Sequence, residues 1–396
     1  MDSELKSVGD LVGAFWPIAA CALIVSLLAT PLCRRFALRR GLVDVPDAGL
    51  KPHERPVAYF GGVAIFLGWA AGLILAVVMY GGPDEASSAD PQPPVDLSMT
   101  LGIFGAGLAV MLLGLFDDLR MVSPVVKLTG IAGATFLLIM VGIGDDTITI
   151  LVRSTSIELG PQDRWLVLVY SIPLTLIITT GAANATNLID GLDGLCSGVL
   201  GIIAVGYLVL AGHLYLYRSG IVETQLVILS LAMLGAALGF LPYNRNPATI
   251  FMGDAGSMLL GLNAAIILLL FAKSNASRWM FASVMVFGLP LADMLLTLAR
   301  RWRNQKPLMQ GDRSHFYDQL VDRGVPVPKV VGISYALAIG FALLGCMAIF
   351  VRTRYLLLLY GLAGGGVILA IARFKMVRLE TRGGKPSVGD GGADAS

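Results

Sequence analysis

Long apolar runs, each closed at one end by acids or basic residues, leave this chain few ways to fold. They lie near 11–32, 57–80, 97–115, 124–143, 165–182, 195–215, 223–241, 257–273, 279–299, 329–350 and 354–372. As a helix, each run is long enough to cross about 30 Å of hydrocarbon. The expectation is an all-α polytopic membrane protein with about 11 transmembrane helices. Composition excludes the soluble alternative. Of the 396 residues, 14% are charged and 56% hydrophobic, against about 25% charged in soluble domains. The first run does not read as a cleavable signal, because Asp2, Glu4 and Asp10 outweigh Lys6 and no small-residue cleavage site follows. Cys21, Cys33, Cys196 and Cys346 are scattered through or at the ends of runs. They lack metal-ligand spacing and read as small membrane-helix residues.

Lysine and arginine set the expected orientation. Arg34, Arg35, Arg39, Arg40, Lys51 and Arg55 crowd the first loop, and Arg300, Arg301, Arg303, Lys306, Arg313, Arg323 and Lys329 a late one. Arg373, Lys375, Arg378, Arg382 and Lys385 follow the last run. With eleven spans these share one side with Arg120, Lys127 and Arg245, making 21 of the 29 basic residues. Such an excess marks the cytoplasmic face. The N-terminus is then outside and the C-terminus cytoplasmic. On the opposite side, 83–96 is acidic and proline-rich, and the β-branched stretch 147–159 predicts a short hairpin. Residues 1–375 are expected to form one transmembrane domain, and 376–396, rich in Gly, Ser and Asp, a disordered tail.

Four polar segments emerge together on the basic face: GLFDDLR (114–120), NATNLIDGLDGL (184–195), PYNRNPATIFMGDAGS (242–257) and GDRSHFYDQL (311–320). Ionised groups at a membrane boundary are costly unless they meet a cation, a partner or water. Asp117 and Asp118 are adjacent carboxylates that repel unless a cation or proton lies between them. A solvated helix end with Arg120 as salt partner is the plain alternative. Asn184, Asn187, Asp190 and Asp193 recur every third residue, which drifts across about half a helix face and can line one wall of a cleft. Gly191 and Gly194 admit a ligand or backbone closely. Asp254, between Gly253 and Gly256, enters the next run, where free backbone N–H groups suit anions. An N-cap without a ligand would also explain it.

Several carboxylates, exposed amides and surrounding cations point to phosphates held with Mg²⁺, which takes one or two carboxylates plus substrate phosphates. Mn²⁺ accepts the same oxygen donors. Three histidines in all leave little room for zinc. Lys51 and His53, and Arg313 and His315, are candidates for holding the anionic ends of substrates, although such residues also serve as topology determinants. Arg34 to Arg40 read as topology determinants only. No nucleic-acid partner is expected.

The four segments resemble those of the polyprenyl-phosphate N-acetylhexosamine-1-phosphate transferases, a superfamily that includes the phospho-MurNAc-pentapeptide transferases. The resemblance runs from about residue 40 to about 325. PDAGLKPHERPVAYFGG (46–62) is similar to the first loop of the GlcNAc-type branch, and LPLADMLLTLARR (289–301), with Asp293, resembles its ninth span. NATNLIDGLDGL and FMGDAGS together are close to diagnostic, whereas the Asp pair alone is weak. The resemblance implies ten or eleven helices around a cytoplasmic cleft, often in a homodimer. It also implies transfer of a sugar-1-phosphate from a UDP-N-acetylhexosamine to undecaprenyl phosphate, with UMP released and Mg²⁺ required. By motif position it makes Asp254 the main metal ligand, puts Asp117 and Asp118 at the reacting phosphates, and lines the metal–diphosphate cleft with Asn184, Asn187 and Asp190. Asp193 and Asn244 would face the uridine.

One departure stands out. The family often carries a histidine cluster in its last cytoplasmic loop, yet here only His315 remains, and Tyr317 and Asp318 stand where others would. This and the first loop count against the pentapeptide-muramoyl substrate. A lipid phosphate is largely dianionic at pH 7, so direct in-line attack needs alignment more than a base. Asp117 would position or deprotonate the acceptor, and a phospho-aspartate double displacement is the rival. Two other classes fit less well. Aromatic prenyltransferases space their acids by four along helices, and transporters place polar sites near the midplane in broken helices of repeated halves.

Overall fold

Backbone groups inside hydrocarbon must be satisfied within the segment itself, and most of every apolar run is accordingly helical. The computed structural model describes residues 7–44, 56–81, 95–120, 122–152, 160–305 and 315–373. In chain order the helices begin with α1 (Val8–Arg40), α2 (Gly61–Tyr80), α3 (Leu97–Arg120), α4 (Pro124–Met140) and α5 (Thr147–Val152). There follow α6 (Arg164–Ile189), α7 (Leu195–Tyr217), α8 (Ile221–Asn244) and α9 (Gly253–Lys273). The last five are α10 (Ser277–Val286), α11 (Gly288–Arg303), α12 (Phe316–Asp322), α13 (Val327–Ala348) and α14 (Thr353–Arg373).

Eight of these, α1, α2, α3, α6, α7, α8, α9 and α13, are each long and apolar enough to cross a membrane. The protein is mostly helical and multi-pass. The run at 279–299, expected as one span, is instead broken into α10 and α11, bent by 66°. Pro290 in the first turn of α11 has no N–H to give the carbonyl four residues back, which ends the α10 ladder. Gly288 beside it lies so close to Phe341 that a Cβ there would stand 2.3 Å from the ring.

A second expectation is corrected at 147–152. That stretch is helical rather than a hairpin strand. Its Ile148 N–H donates to Ser171 Oγ at 3.0 Å, Thr147 Oγ1 bonds Thr175 Oγ1 at 3.0 Å, and Thr147 and Ile150 are buried. Packing against α6 overrides the β preference of the branched side chains. Residues 153–159, and the tail from 376, lie outside the described residues.

Local signals explain the ends of α1. Ser7 and Asp10 form a reciprocal capping box at its start, and Gly41, at φ 69°, closes it in the left-handed conformation. Halfway along, α8 presses on α1 through Gly235 and Gly239, where a Cβ would fall 2.4 Å from the Ala19 carbonyl and 2.5 Å from that of Leu23. Small residues four apart permit this backbone approach. Ser26 Oγ donates to the Ala236 carbonyl at 2.9 Å across the same seam.

The centre of the molecule is α9, buried on nearly every side by α2, α3, α6 and α8. A helix apolar all round belongs in such a place. Its one amide, Asn263, is satisfied by Trp69 Nε1 at 3.0 Å. A three-stranded sheet, not expected from the sequence, caps the end where α9 begins. In it β1 (Val43–Asp44) pairs antiparallel with β2 (Val57–Tyr59), and β2 parallel with β3 (Ile250–Phe251). Gly62 N–H donates to the Met252 carbonyl at 2.8 Å. The sheet and α2 thereby fix the chain just before Asp254.

Candidate active site

The site is built around the first turn of α9. Gly253, at φ +66°, turns the chain into the helix, and a Cβ there would meet Asp118 Oδ2 at 2.4 Å. Only glycine suits both constraints. Asp118, in the last turn of α3, accepts from the N–H of Asp254 at 2.8 Å and of Ala255 at 3.3 Å. A carboxylate at a helix N-terminus satisfies orphan donors and meets the positive end of the helix dipole. Gly114 brings α3 close enough to do this, since a Cβ there would fall 2.5 Å from Ala255 N. GLFDDLR is thus a docking segment as well as a source of carboxylates.

Asp117 points the other way. Its Oδ1 accepts from Val122 N–H at 2.7 Å, and its Oδ2 lies 2.5 Å from Lys127 Nζ. Asp254 Oδ2 stands 2.5 Å from that same nitrogen. Asp254 Oδ1 accepts from Asn187 Nδ2 at 2.6 Å, and this amide also reaches Ser257 Oγ at 3.3 Å. Four helices, α3, α4, α6 and α9, therefore meet in one cluster of two carboxylates, an ammonium and an amide. Arg120 is not the partner of the Asp pair; Lys127 takes Asp117, and backbone N–H groups take Asp118.

NATNLIDGLDGL divides between two tasks. Asn187 joins the cluster, while Asn184 donates to the Thr180 carbonyl at 2.8 Å. Asp190 follows the last residue of α6. Burial, then Asp254, Asp118 and Asp193, hold its carboxyl well above the usual carboxylate range. A cation brought near would reverse that shift. The sequence spacing of three does not carry on down one wall. Asp193 turns to the 245–249 loop, accepting from Asn246 Nδ2 at 3.0 Å and Ala248 N–H at 2.9 Å. Asn244 is 3% exposed, its Oδ1 accepting from Gly194 N–H at 3.1 Å and Ser197 Oγ at 2.8 Å. Its Nδ2 donates to the Ile250 carbonyl at 3.1 Å. Both residues are engaged in tying the 190–197 turn to the 244–250 segment.

His315 is buried and bonds Asp293 Oδ2 through Nδ1 at 2.8 Å, with Thr297 Oγ1 at 3.2 Å. Asp318, one of the residues standing in for family histidines, accepts from His315 N–H at 3.2 Å and caps α12. Lys51, His53 and Arg313 lie outside the described residues. Tyr59, at the end of β2, has its hydroxyl pushed up first by burial and then by Asp44, Asp118, Asp190 and Asp254, so it borders the same acids. The sequence reading missed Lys127 as a site residue, counting it only among topology charges. One signal was there: a lysine in the first turn of a helix opposes the dipole and needs a local reason. Among the described residues, no three His, Cys, Asp or Glu side chains are grouped so as to hold a metal by themselves.

Residues 100–272, which include Asp117, Asp118, Lys127, Asn187, Asp190 and Asp254, match the model of glycosyl transferase family 4. A Bacillus subtilis protein named as probable undecaprenyl-phosphate N-acetylglucosaminyl 1-phosphate transferase is 32% identical over 325 residues, 81% of each chain. The chain belongs to glycosyl transferase family 4. Within the family, the decaprenyl-phosphate N-acetylglucosaminephosphotransferase of Mycobacterium tuberculosis is 31% identical over 331 residues, 80% of this chain and 78% of that one. The phospho-N-acetylmuramoyl-pentapeptide-transferase of Chlorobaculum parvum is 32% identical over 273 residues, 64% of this chain and 69% of its own. As a family 4 glycosyl transferase, the protein is an enzyme of the phosphoglycosyltransferase type.

Proposed function

We propose that the protein transfers an N-acetylhexosamine-1-phosphate from a UDP-sugar to undecaprenyl or a similar polyprenyl phosphate, releasing UMP at the cytoplasmic face. GlcNAc is the favoured sugar, because the relatives matched over some four-fifths of the chain are named for it. The observation that carries the reading is the convergence of Asp117, Lys127, Asn187 and Asp254 from four helices. The orientation follows from the charge pattern, in which Arg39, Arg40, Arg120, Arg245, Arg300, Arg301 and Arg303 end or follow the odd-numbered apolar runs, as the acidic segments do.

The residues fit Mg²⁺. Asp117 Oδ2 and Asp254 Oδ2 already converge on one cationic atom, and a donor set of one or two carboxylates completed by phosphates is what this ion prefers. Asp117 and Asp254 would hold it, with Asp190 beside them. When bound, the ion neutralises phosphate charge and polarises the phosphorus under attack.

The chain's own groups account for the rest. An oxygen of the lipid phosphate attacks the sugar-bearing phosphorus of the diphosphate. A new P–O bond forms, the bond to the bridging oxygen breaks, and that oxygen and its electron pair leave with UMP. The acceptor is already largely dianionic, so no base is needed to create the nucleophile. Asp117, ion-paired with Lys127, is a weak base and serves to position. Both oxygens of Asp118 are engaged by the N–H groups of α9, which disfavours it as a covalent nucleophile. Lys127 balances the charge of the carboxylates and of the arriving phosphates.

Purified protein with Mg²⁺, undecaprenyl phosphate and a panel of UDP-sugars tests the proposal. UMP and a lipid-linked sugar diphosphate are expected with UDP-GlcNAc in excess of UDP-GalNAc or UDP-MurNAc-pentapeptide. No lipid-dependent UMP with any of them would refute the reading.

A further inference from the structure

Tyr317 reaches from α12 across to the end of α6. Its hydroxyl donates to the Leu188 carbonyl at 2.7 Å, one of the terminal carbonyls that a helix cannot satisfy itself. The ring lies directly over the following turn. A Cβ on Gly191 would fall 2.3 Å from the hydroxyl oxygen and 2.7 Å from two ring carbons. On its other side the ring stacks on His315, with centroids 5.4 Å apart and planes 9° from parallel. Asp293 holds that histidine through Oδ2 at 2.8 Å and accepts from Phe316 N–H through Oδ1 at 3.1 Å. An unbroken line of contacts therefore runs from α11 through His315 and Tyr317 to the turn that bears Asp190. Tyr317 is 2% exposed, so it acts through its neighbours and not on a substrate.

We infer that Tyr317 is a positioning residue: it braces the Leu188–Gly191 turn so that Asp190 is held toward the reacting phosphates, and it couples the last loop to that turn. This rests on the placement of Asp190 beside those phosphates in the reaction proposed above. The physical reason is geometric. A turn beyond a helix end has few bonds of its own, and small misplacements of a reacting group are costly in rate.

Tyr317→Phe deletes the hydroxyl and keeps the ring, so it tests the brace without opening a cavity. In the full-length protein, kcat for lipid-dependent UMP release should fall about 10- to 100-fold, the range seen when groups that orient a metal ligand are removed. KM for both substrates should stay at its wild-type value, and the melting temperature in detergent should fall only by the small amount that one lost hydrogen bond costs. Gly191→Ala disturbs the same contact from the opposite side and should reproduce the kcat loss. Wild-type kcat in Tyr317→Phe would overturn the inference, as would a loss seen only as a higher KM or a lower melting temperature. A wild-type protein that releases no UMP would overturn the underlying reaction, and the brace with it.

Discussion

Asp254→Asn is expected to lower turnover by on the order of 10³-fold while the protein stays folded, a loss like that from removing one well-placed electrostatic group in other enzymes. The substitution keeps shape and hydrogen-bonding capacity. Asn187 can still donate to the remaining carbonyl oxygen, and the first turn of α9 stays capped by Asp118. What disappears is the charge that meets Lys127 Nζ at 2.5 Å and that would meet a divalent ion. Rates of UMP release, read beside thermal unfolding in the same detergent, separate chemistry from folding. A variant within a few-fold of wild type would show that Asp254 only starts a helix.

Lys127→Met should cost about 10²- to 10³-fold in turnover and some stability. Removing one partner of a buried ion pair costs about 3–5 kcal/mol when burial is complete. With 24% of the lysine side chain and 22% of that of Asp254 exposed, the penalty here should be smaller. Methionine fills the volume of the lysine stem but leaves Asp117 and Asp254 facing each other without a balancing charge. Lys127→Arg should recover stability better than rate, because a planar guanidinium does not replace a compact ammonium between two carboxylates. Unchanged activity in Lys127→Met would return the residue to the role of a topology charge.

Lys127 also shows where the sequence stops being informative. The apolar runs located the helices because hydrocarbon leaves a backbone no other partner. The motif acids Asp117, Asp118, Asp190 and Asp254 stood out because charge at a membrane boundary needs a reason. What could not be read was each group's partner. Asp118 caps a helix that begins 135 residues later in the chain, and nothing local to GLFDDLR announces that. Asn244 and Asp193 carry the residue types of a ligand site, and nothing local announces that Asn244 ties Gly194 and Ser197 to Ile250 or that Asp193 Oδ2 takes Asn246 and Ala248. The 147–152 stretch has strand-forming side chains, and only α6, with Ser171 and Thr175 placed to receive it, makes it a helix. The break at Gly288 could not be read from Pro290 alone, since Pro17, Pro31, Pro173 and Pro242 lie inside helices that continue past them. Its neighbour Phe341, from α13, is a tertiary fact.

The central claim is that carboxylates from α3 and α9 gather one divalent ion and the reacting phosphates at a single point. Lipid-dependent UMP release measured against free Mg²⁺ tests it most directly. Protein stripped with chelator should be inactive, Mg²⁺ should restore it, and Asp117→Asn should need a higher concentration to reach half its own maximal rate. Full turnover in excess chelator would contradict the account.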